Sequence, residues 1–131
     1  MKTKCEMNLK MAHALSQDSN NPDGWTTCVH CSYYAVFQFM KYLLAEKSEN
    51  PISYERQNAN TGSDSHSYIL DEIKNRIKNF SEARNLGERV RDLKQQRLWA
   101  DYHNKVFTQA ESLECEDKAN VIIRSLKKLV S

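Results

Sequence analysis

The sequence predicts an all-α protein, a five-helix up-and-down antiparallel bundle, and three observations lead to this class. Helix breakers are rare, with 3 Gly and 2 Pro in 131 residues, which favours long helices with few turns. Val, Ile and Thr are scarce outside helical patterns, which disfavours a β-sheet. Apolar side chains recur at spacings of three and four residues along five segments. The length fits one domain over residues 1–131, with a core that needs no disulfide bonds.

The first two predicted helices carry the most hydrophobic part of the chain. The first covers about residues 4–17, and one face of it carries Cys5, Leu9, Ala12 and Leu15. Turn-forming residues 18–24 end it, and Thr26 or Thr27 is expected to cap a second helix over about residues 27–46. This second helix is expected to be central, with an inward-facing stripe of Val29, Tyr33, Val36, Met40 and Leu43.

Three more helices are predicted after a long polar loop over residues 47–65. The third begins at His66 or Ser67, and its core stripe is Ile69, Ile73, Ile77 and Phe80. A break is predicted within residues 81–87. The fourth helix runs from Leu86 or Glu88 to His103, and its stripe is Leu86, Val90, Leu93, Arg97 and Ala100. The fifth begins at a capping box formed by Thr108 and Glu111, and its stripe is Cys115, Ala119, Ile122, Leu126 and Leu129.

The composition excludes several classes of function. The formal net charge is only +2, from 19 basic and 17 acidic side chains, so the broad basic field that holds duplex DNA is absent. No apolar run is long enough to span a membrane, and the N-terminus lacks the core of a signal peptide. Four irregularly placed cysteines do not form the framework of a secreted disulfide protein. We therefore expect a cytoplasmic protein with reduced thiols and neither a membrane nor a DNA partner.

Two of the cysteines, Cys28 and Cys31, resemble half of a zinc site. Zinc commonly takes four ligands supplied as two short pairs, and the isolated Cys5 and Cys115 provide no second pair. Small buried thiols on a helix are the alternative explanation. The prediction is that the protein binds no metal and needs no cofactor.

Arg97 stands on an apolar helical stripe, where a guanidinium is unusual. The group cannot lose its proton, so burial without a partner would be costly. Asp101 lies four residues on, about 40° around the helix, and can reach it. Tyr102 and His103 follow directly, so a guanidinium, a carboxylate, a phenol and an imidazole gather at the end of one helix. A purely structural Arg–Asp pair is the alternative explanation.

The segment from Arg84 to Arg97 carries a local excess of positive charge. Against Glu88 and Asp92 it has five basic residues, which are Arg84, Arg89, Arg91, Lys94 and Arg97. The first four are candidates for binding RNA or a nucleotide. The alternative is an ordinary solvated helix face with ion pairs three residues apart.

Three short motifs, in this order, resemble those of the HEPN family, whose name stands for higher eukaryotes and prokaryotes nucleotide-binding. They are Tyr33-Tyr34-Ala35 in the second helix, His66-Ser67 at the start of the third, and R-x-x-A-D-Y from Arg97 to Tyr102. The similarity is greatest to the small stand-alone bacterial and archaeal type. It covers nearly the whole chain.

The resemblance implies a helical bundle that forms a homodimer and acts on RNA or a nucleotide. Many family members are metal-independent endoribonucleases in which a histidine follows an arginine after a short spacer. Here Arg97 and His103 are separated by five residues, Leu98 to Tyr102. Such proteins often act as toxins or defence effectors paired with a minimal nucleotidyltransferase. Some are silenced when that partner attaches AMP to a tyrosine near the histidine.

The chemistry expected of Arg97 and His103 uses the ribose 2′-OH as the nucleophile. A histidine exchanges the protons because its pKa lies near the working pH, and an arginine stabilises the charge that builds on the phosphate oxygens. In this scheme Asp101 orients Arg97, and Tyr102 lines the groove. On a continuous helix His103 would lie about 240° from Arg97, so the pair requires the helix to end near Asp101 or the histidine to cross a dimer interface. The alternatives are an inactive HEPN module that binds RNA, a nucleotide or a nucleotidyltransferase, and a purely structural bundle.

Overall fold

The computed structural model describes residues 1–59 and 64–130. In these residues it contains six α-helices, rather than the five that the sequence predicts. They are α1 (Lys2–Gln17), α2 (Pro22–Tyr42), α3 (Tyr54–Ala59), α4 (Ser65–Asn75), α5 (Phe80–Tyr102) and α6 (Gln109–Val130). A π-helical turn, Leu43–Lys47, extends α2, and α3 is a single short helix within the predicted loop, of which residues 60–63 lie outside the described part.

The second helix begins five residues earlier than predicted. Pro22 occupies its first turn and Asn21 precedes it as the N-cap residue, because a proline at the first helical position has its backbone already set for a helix. Thr26 is therefore inside α2, and its hydroxyl accepts a hydrogen bond from the Phe107 backbone N–H at 3.3 Å instead of capping. Gly24 also lies inside α2, where a Cβ would come within 2.8 Å of the Leu15 side chain.

The break between the third and fourth predicted helices is also misplaced. Helix α4 ends at Asn75, and the Asn79 side chain caps α5 by accepting a hydrogen bond from the Glu82 N–H at 3.0 Å. Phe80 is consequently the first residue of α5 and is 81% exposed, contrary to the prediction that it lies in the core. Gly87 does not break the helix but is buried within α5, beside the Lys74 side chain.

Helix α2 is central, as its apolar sequence predicts, and contacts α1, α4, α5 and α6. Every residue of its predicted inward stripe is buried. Pairs of contacts give the directions of two neighbours, because rising residue numbers on one helix meet falling numbers on α2. Asn8 contacts Gln38 and Leu15 lies beside Gly24, so α1 runs antiparallel to α2. Asp101 contacts His30 and Arg97 contacts Tyr34, so α5 does as well.

The last helix is capped as predicted. The Thr108 hydroxyl accepts from the Glu111 backbone N–H, and the Glu111 carboxylate accepts from the Thr108 N–H, both at 3.1 Å. Four residues of its predicted stripe are buried, and Leu129 is half-buried. In residues 1–59 and 64–130, each helix is too short or too polar to cross a lipid bilayer.

Candidate functional site

Two pairs of residues face each other across the contact between α2 and α5. His30 and Tyr34 are one helical turn apart on α2, and Arg97 and Asp101 are one turn apart on α5. Because the two helices are antiparallel, each pair presents its side chains to the other. The four side chains form a closed set of contacts, which we call the Arg97 cluster.

The Arg97 guanidinium is the centre of this cluster, and the residue is 8% exposed. Its Nη2 donates to the Tyr34 hydroxyl at 2.7 Å and, more weakly, to the Tyr102 hydroxyl at 3.4 Å. The guanidinium carbon lies 4.9, 5.3 and 5.9 Å from the ring centres of Tyr34, Tyr102 and Tyr33. Cation–π attraction to these rings and the hydrogen bonds from Nη2 together hold the guanidinium in place.

Asp101 compensates that charge, as the four-residue spacing predicts. Its Oδ2 lies 2.8 Å from Arg97 Nε, but the Nε–H group forms no hydrogen bond with it. The contact is therefore an ion pair rather than an aligned, bidentate bridge. Arg97 Nη1 makes no hydrogen bond with the part of the chain that the structure describes, so one nitrogen of the guanidinium is left for an external acceptor.

His30 is the functional candidate that the sequence did not reveal. Its Nδ1 lies 2.7 Å from the same Asp101 Oδ2, and its ring centre is 4.6 Å from that of Tyr34. The side chain is 43% exposed. No local spacing points to this contact, because the two residues are 71 positions apart.

His103, the predicted catalytic histidine, lies just beyond the cluster. Helix α5 ends at Tyr102, and His103 is its exposed C-cap residue, with extended backbone and an N–H that donates to the Trp99 carbonyl oxygen. The helix thus ends where the predicted pair requires. The imidazole of His103 makes no hydrogen bond or ion pair with residues 1–59 or 64–130, so one chain does not bring it onto Arg97.

A second imidazole, His66, adjoins the cluster through Tyr33. Its Nδ1 lies 2.6 Å from the Tyr33 hydroxyl, and its ring stacks on Phe37 with centres 4.1 Å apart and planes 7° apart. Burial, with the positive charges of Lys94 and Arg97, lowers the His66 pKa to about 4, so the ring is neutral under ordinary conditions. All three HEPN-like motifs thus contribute residues to one region of the molecule.

Beside His66 lies an open cleft of about 270 Å³ between α4 and α5. Arg91 and Lys94 both line it, and Lys94 is paired with Asp64 at 3.2 Å. Hydrogen bonds from Ser67, and then Lys94, lower the Asp64 pKa to about 2. The cleft therefore combines two cationic side chains with one firmly ionised carboxylate.

The four predicted RNA-binding residues do not form one continuous patch. Arg91 and Lys94 face the cleft at His66, whereas Arg89 lines a separate cleft between α5 and α6. Arg84 is exposed and lies 3.5 Å from Glu88 in an ion pair. Successive residues of a helix project in different directions, so basic residues that are close in the sequence lie on different faces of α5.

The cysteines are free, buried thiols. Burial raises the pKa of Cys28 to about 11 and that of Cys115 to about 12, which disfavours the thiolate that binds metals. Across the described residues, the His, Cys, Asp and Glu side chains form no group of three or more that could hold a metal ion.

Comparison with known proteins gives no match to a family model, a curated protein or a solved structure. What the site can do therefore follows from its own chemistry. The Arg97 cluster joins a fixed cation, an imidazole held by a carboxylate and several aromatic rings at one end of the helix pair α2–α5. Those groups suit a phosphodiester with attached bases.

Proposed function

We propose that this protein is a HEPN-like endoribonuclease that cleaves RNA without a metal ion, through attack of a ribose 2′-OH on the adjacent phosphate. The observation that supports this most strongly is the Arg97 cluster, in which an arginine beside an imidazole has one unengaged nitrogen. Arg97 binds a phosphate oxygen, Asp101 and Tyr102 support the arginine, and His103 exchanges a proton with the RNA. No cofactor takes part.

The proposal includes a homodimer, because His103 does not contact Arg97 within one chain. In a two-fold dimer with the ends of α5 near the axis, His103 of one copy faces Arg97 of the other across a shared groove. Arg91 and Lys94 then extend that groove with positive charge for the RNA backbone. The protein acts in the cytoplasm as a toxin or defence effector. A nucleotidyltransferase partner silences it by attaching AMP to the hydroxyl of Tyr102, a residue that is largely exposed.

The second candidate is an inactive HEPN module that binds RNA or a nucleotide, alone or with a nucleotidyltransferase. One observation favours it over the nuclease: Arg97 is almost buried, and its guanidinium is held in place by Tyr34, Tyr102 and Asp101 of the same chain. An arginine tied in this way is suited to shaping a groove. Its remaining nitrogen and the adjacent rings still provide contacts for a phosphate and a base.

One experiment separates the two candidates. Purified protein is incubated with a mixed-sequence single-stranded RNA in the presence of a chelator, and both cleavage and binding are measured. For a nuclease, we expect fragments that end in a 2′,3′-cyclic phosphate. Arg97→Ala should then slow cleavage about 10²- to 10³-fold, and His103→Ala about 10²- to 10⁴-fold. Arg124→Ala, which removes an exposed arginine of α6, is the matched control and should cleave normally.

The other results have distinct meanings. RNA binding without cleavage, weakened by Arg97→Ala but not by Arg124→Ala, would establish the binding module. If wild-type protein neither binds nor cleaves RNA, the nuclease and the RNA-binding module are both wrong. Equal cleavage by wild type, Arg97→Ala and His103→Ala would show that the nuclease site lies elsewhere.

A further inference from the structure

We propose that His30 is a further catalytic residue, whose Nε2 removes the proton from the attacking ribose 2′-OH while Asp101 holds the ring. This inference rests on the proposed cleavage of RNA at Arg97 and assigns one of the two proton transfers that such a reaction needs. Neither the HEPN-like motifs nor the spacing of residues on α5 includes His30.

The contact with Asp101 determines which nitrogen of His30 is available. An ionised carboxylate only accepts hydrogen bonds, so His30 Nδ1, 2.7 Å from Asp101 Oδ2, must carry the hydrogen. In a neutral imidazole the proton is then absent from Nε2, which becomes the basic nitrogen. The side chain is 43% exposed, and Nε2 has no hydrogen-bond partner among the residues that the structure describes, so this nitrogen remains for a substrate. A histidine oriented by a carboxylate in this way is prepared to act as a general base.

His30 also lies beside the place where the phosphate would bind. Arg97 Nε and His30 Nδ1 both lie within 2.8 Å of the same Asp101 oxygen. The Tyr34 ring contacts the His30 ring, and its hydroxyl accepts the hydrogen bond from Arg97 Nη2. The imidazole and the guanidinium are therefore neighbours, and a phosphate bound to the guanidinium would place its ribose in the region of the imidazole. This proximity is what a general base requires.

The other three histidines lack this combination. His13 is held by Glu116 at 2.7 Å in the same manner, but on the contact between α1 and α6. The Nδ1 of His66 bonds to a phenol rather than a carboxylate, and its ring is covered by Phe37. The His103 imidazole has no orienting partner among the residues that the structure describes.

The proposed cleavage needs no reactant besides the RNA, the two histidines and water. As the 2′-oxygen bonds to phosphorus, its proton moves to His30 Nε2, and the bond from phosphorus to the 5′-oxygen breaks. The leaving 5′-oxygen takes a proton from protonated His103. The products are a 2′,3′-cyclic phosphate and a 5′-hydroxyl. Asp101 stabilises the resulting His30 cation, which returns its proton to water, and His103 regains a proton from water.

Two leaving groups distinguish a base from an acid. The cleaved step is first located with mixed-sequence RNA, and that step is then made with oxygen or with sulfur at the bridging 5′ position. Sulfur departs without being protonated, so it compensates for a missing acid but not for a missing base. We expect His30→Gln to slow both substrates about 10²- to 10⁴-fold with unchanged RNA affinity. His103→Gln should be slow on the oxygen substrate alone. His13→Gln, which removes the other histidine held by a carboxylate, should match wild type.

The possible failures are separable. If Arg97→Ala is inactive while His30→Gln cleaves at the wild-type rate, His30 is not the base and the proposed nuclease stands. If sulfur restores His30→Gln, or if this variant loses affinity in step with rate, the assignment as base is wrong. A wild-type protein that leaves RNA intact overturns both proposals. Nitrogen NMR of the wild-type imidazoles, at a pH where they are neutral, gives a readout that is independent of activity: we expect the hydrogen of His30 on Nδ1, and finding it on Nε2 would refute the inference.

Discussion

Replacing Asp101 by Asn tests whether the Arg97 cluster is held together by this one carboxylate. The change keeps the size and shape of the side chain but removes the charge that both Arg97 and His30 contact. Arg97, a residue 8% exposed, would then carry its charge among neutral partners and no carboxylate. We expect the free energy of unfolding to fall by about 1.5 kcal/mol, which follows from three contributions.

The largest contribution is the loss of the contact with Arg97. An aligned hydrogen bond to a charged group is worth about 1.5–3 kcal/mol. This ion pair lacks the alignment but has side chains only 9% and 21% exposed, so we expect a value near the lower figure. The contact with His30 is more open to solvent and adds about 0.5 kcal/mol at most. A third contribution has the opposite sign. Asp101 lies in the last turn of α5, where the helix dipole disfavours a negative charge by about 0.3–1 kcal/mol, so removing the charge is stabilising there. An amide oxygen that still accepts hydrogen bonds keeps the net loss near the lower end.

Urea unfolding followed by circular dichroism measures this difference. At about 2.1 cal/mol/K of unfolding entropy per residue, a loss of about 1.5 kcal/mol lowers the Tm by about 5 °C. Asp92→Asn is the matched control on the same helix, since its pair with Lys118 has side chains 51% and 35% exposed. That variant should lose less than about 0.5 kcal/mol. If the two variants lose the same amount, Asp101 is an ordinary surface charge and the cluster does not depend on it.

Three other predictions test the bundle around the site. Leu93 is fully buried, so Leu93→Ala should lower the free energy of unfolding in urea by about 2–5 kcal/mol. Leu113 is 38% exposed, so Leu113→Ala should lower it far less, and equal losses would contradict the placement of the core. Thr108→Ala removes half of the reciprocal cap with Glu111 and should cost about 1 kcal/mol, and an unchanged urea midpoint would count against that cap. The His66 pKa falls from 6.5 to about 4 on folding, so the unfolded chain binds more protons than the folded chain between these pH values. The contribution of His66 to stability is therefore full above about pH 6.5 and is lost as the pH falls towards about 4. Urea midpoints across this window should decline less steeply for His66→Gln than for wild type, and parallel profiles would refute the assignment.

The sequence predicted the fold well where a pattern is local and repeats. The stripe on α2 and the cap at Thr108 depend on spacings of three and four residues, which any amphipathic helix must satisfy. The prediction failed at Phe80. The apolar spacing of three and four residues continues from α4 to this residue, although the Asn79 cap starts a new helix there. It also failed at the start of α2, where Pro22 outweighs the threonines that were expected to cap.

The candidate site was only half predictable for the same reason. Arg97 and Asp101 are neighbours on one helix, so their contact follows from the four-residue spacing. His30 reaches Asp101 only because α2 and α5 pack antiparallel in one register, and a single sequence carries no direct signal of that register. One weak signal was present, namely that His30 precedes Tyr34 of the HEPN-like motif by one helical turn.

The most direct test of RNA cleavage at Arg97 uses DNA oligonucleotides that each contain a single ribonucleotide, incubated with the protein and a chelator. Because DNA lacks the 2′-OH, we expect one cut, directly 3′ to the ribonucleotide, with a cyclic phosphate at the new end and no cut by Arg97→Ala. Cleavage of all-DNA strands, or equal cutting by Arg97→Ala and wild type, would contradict it.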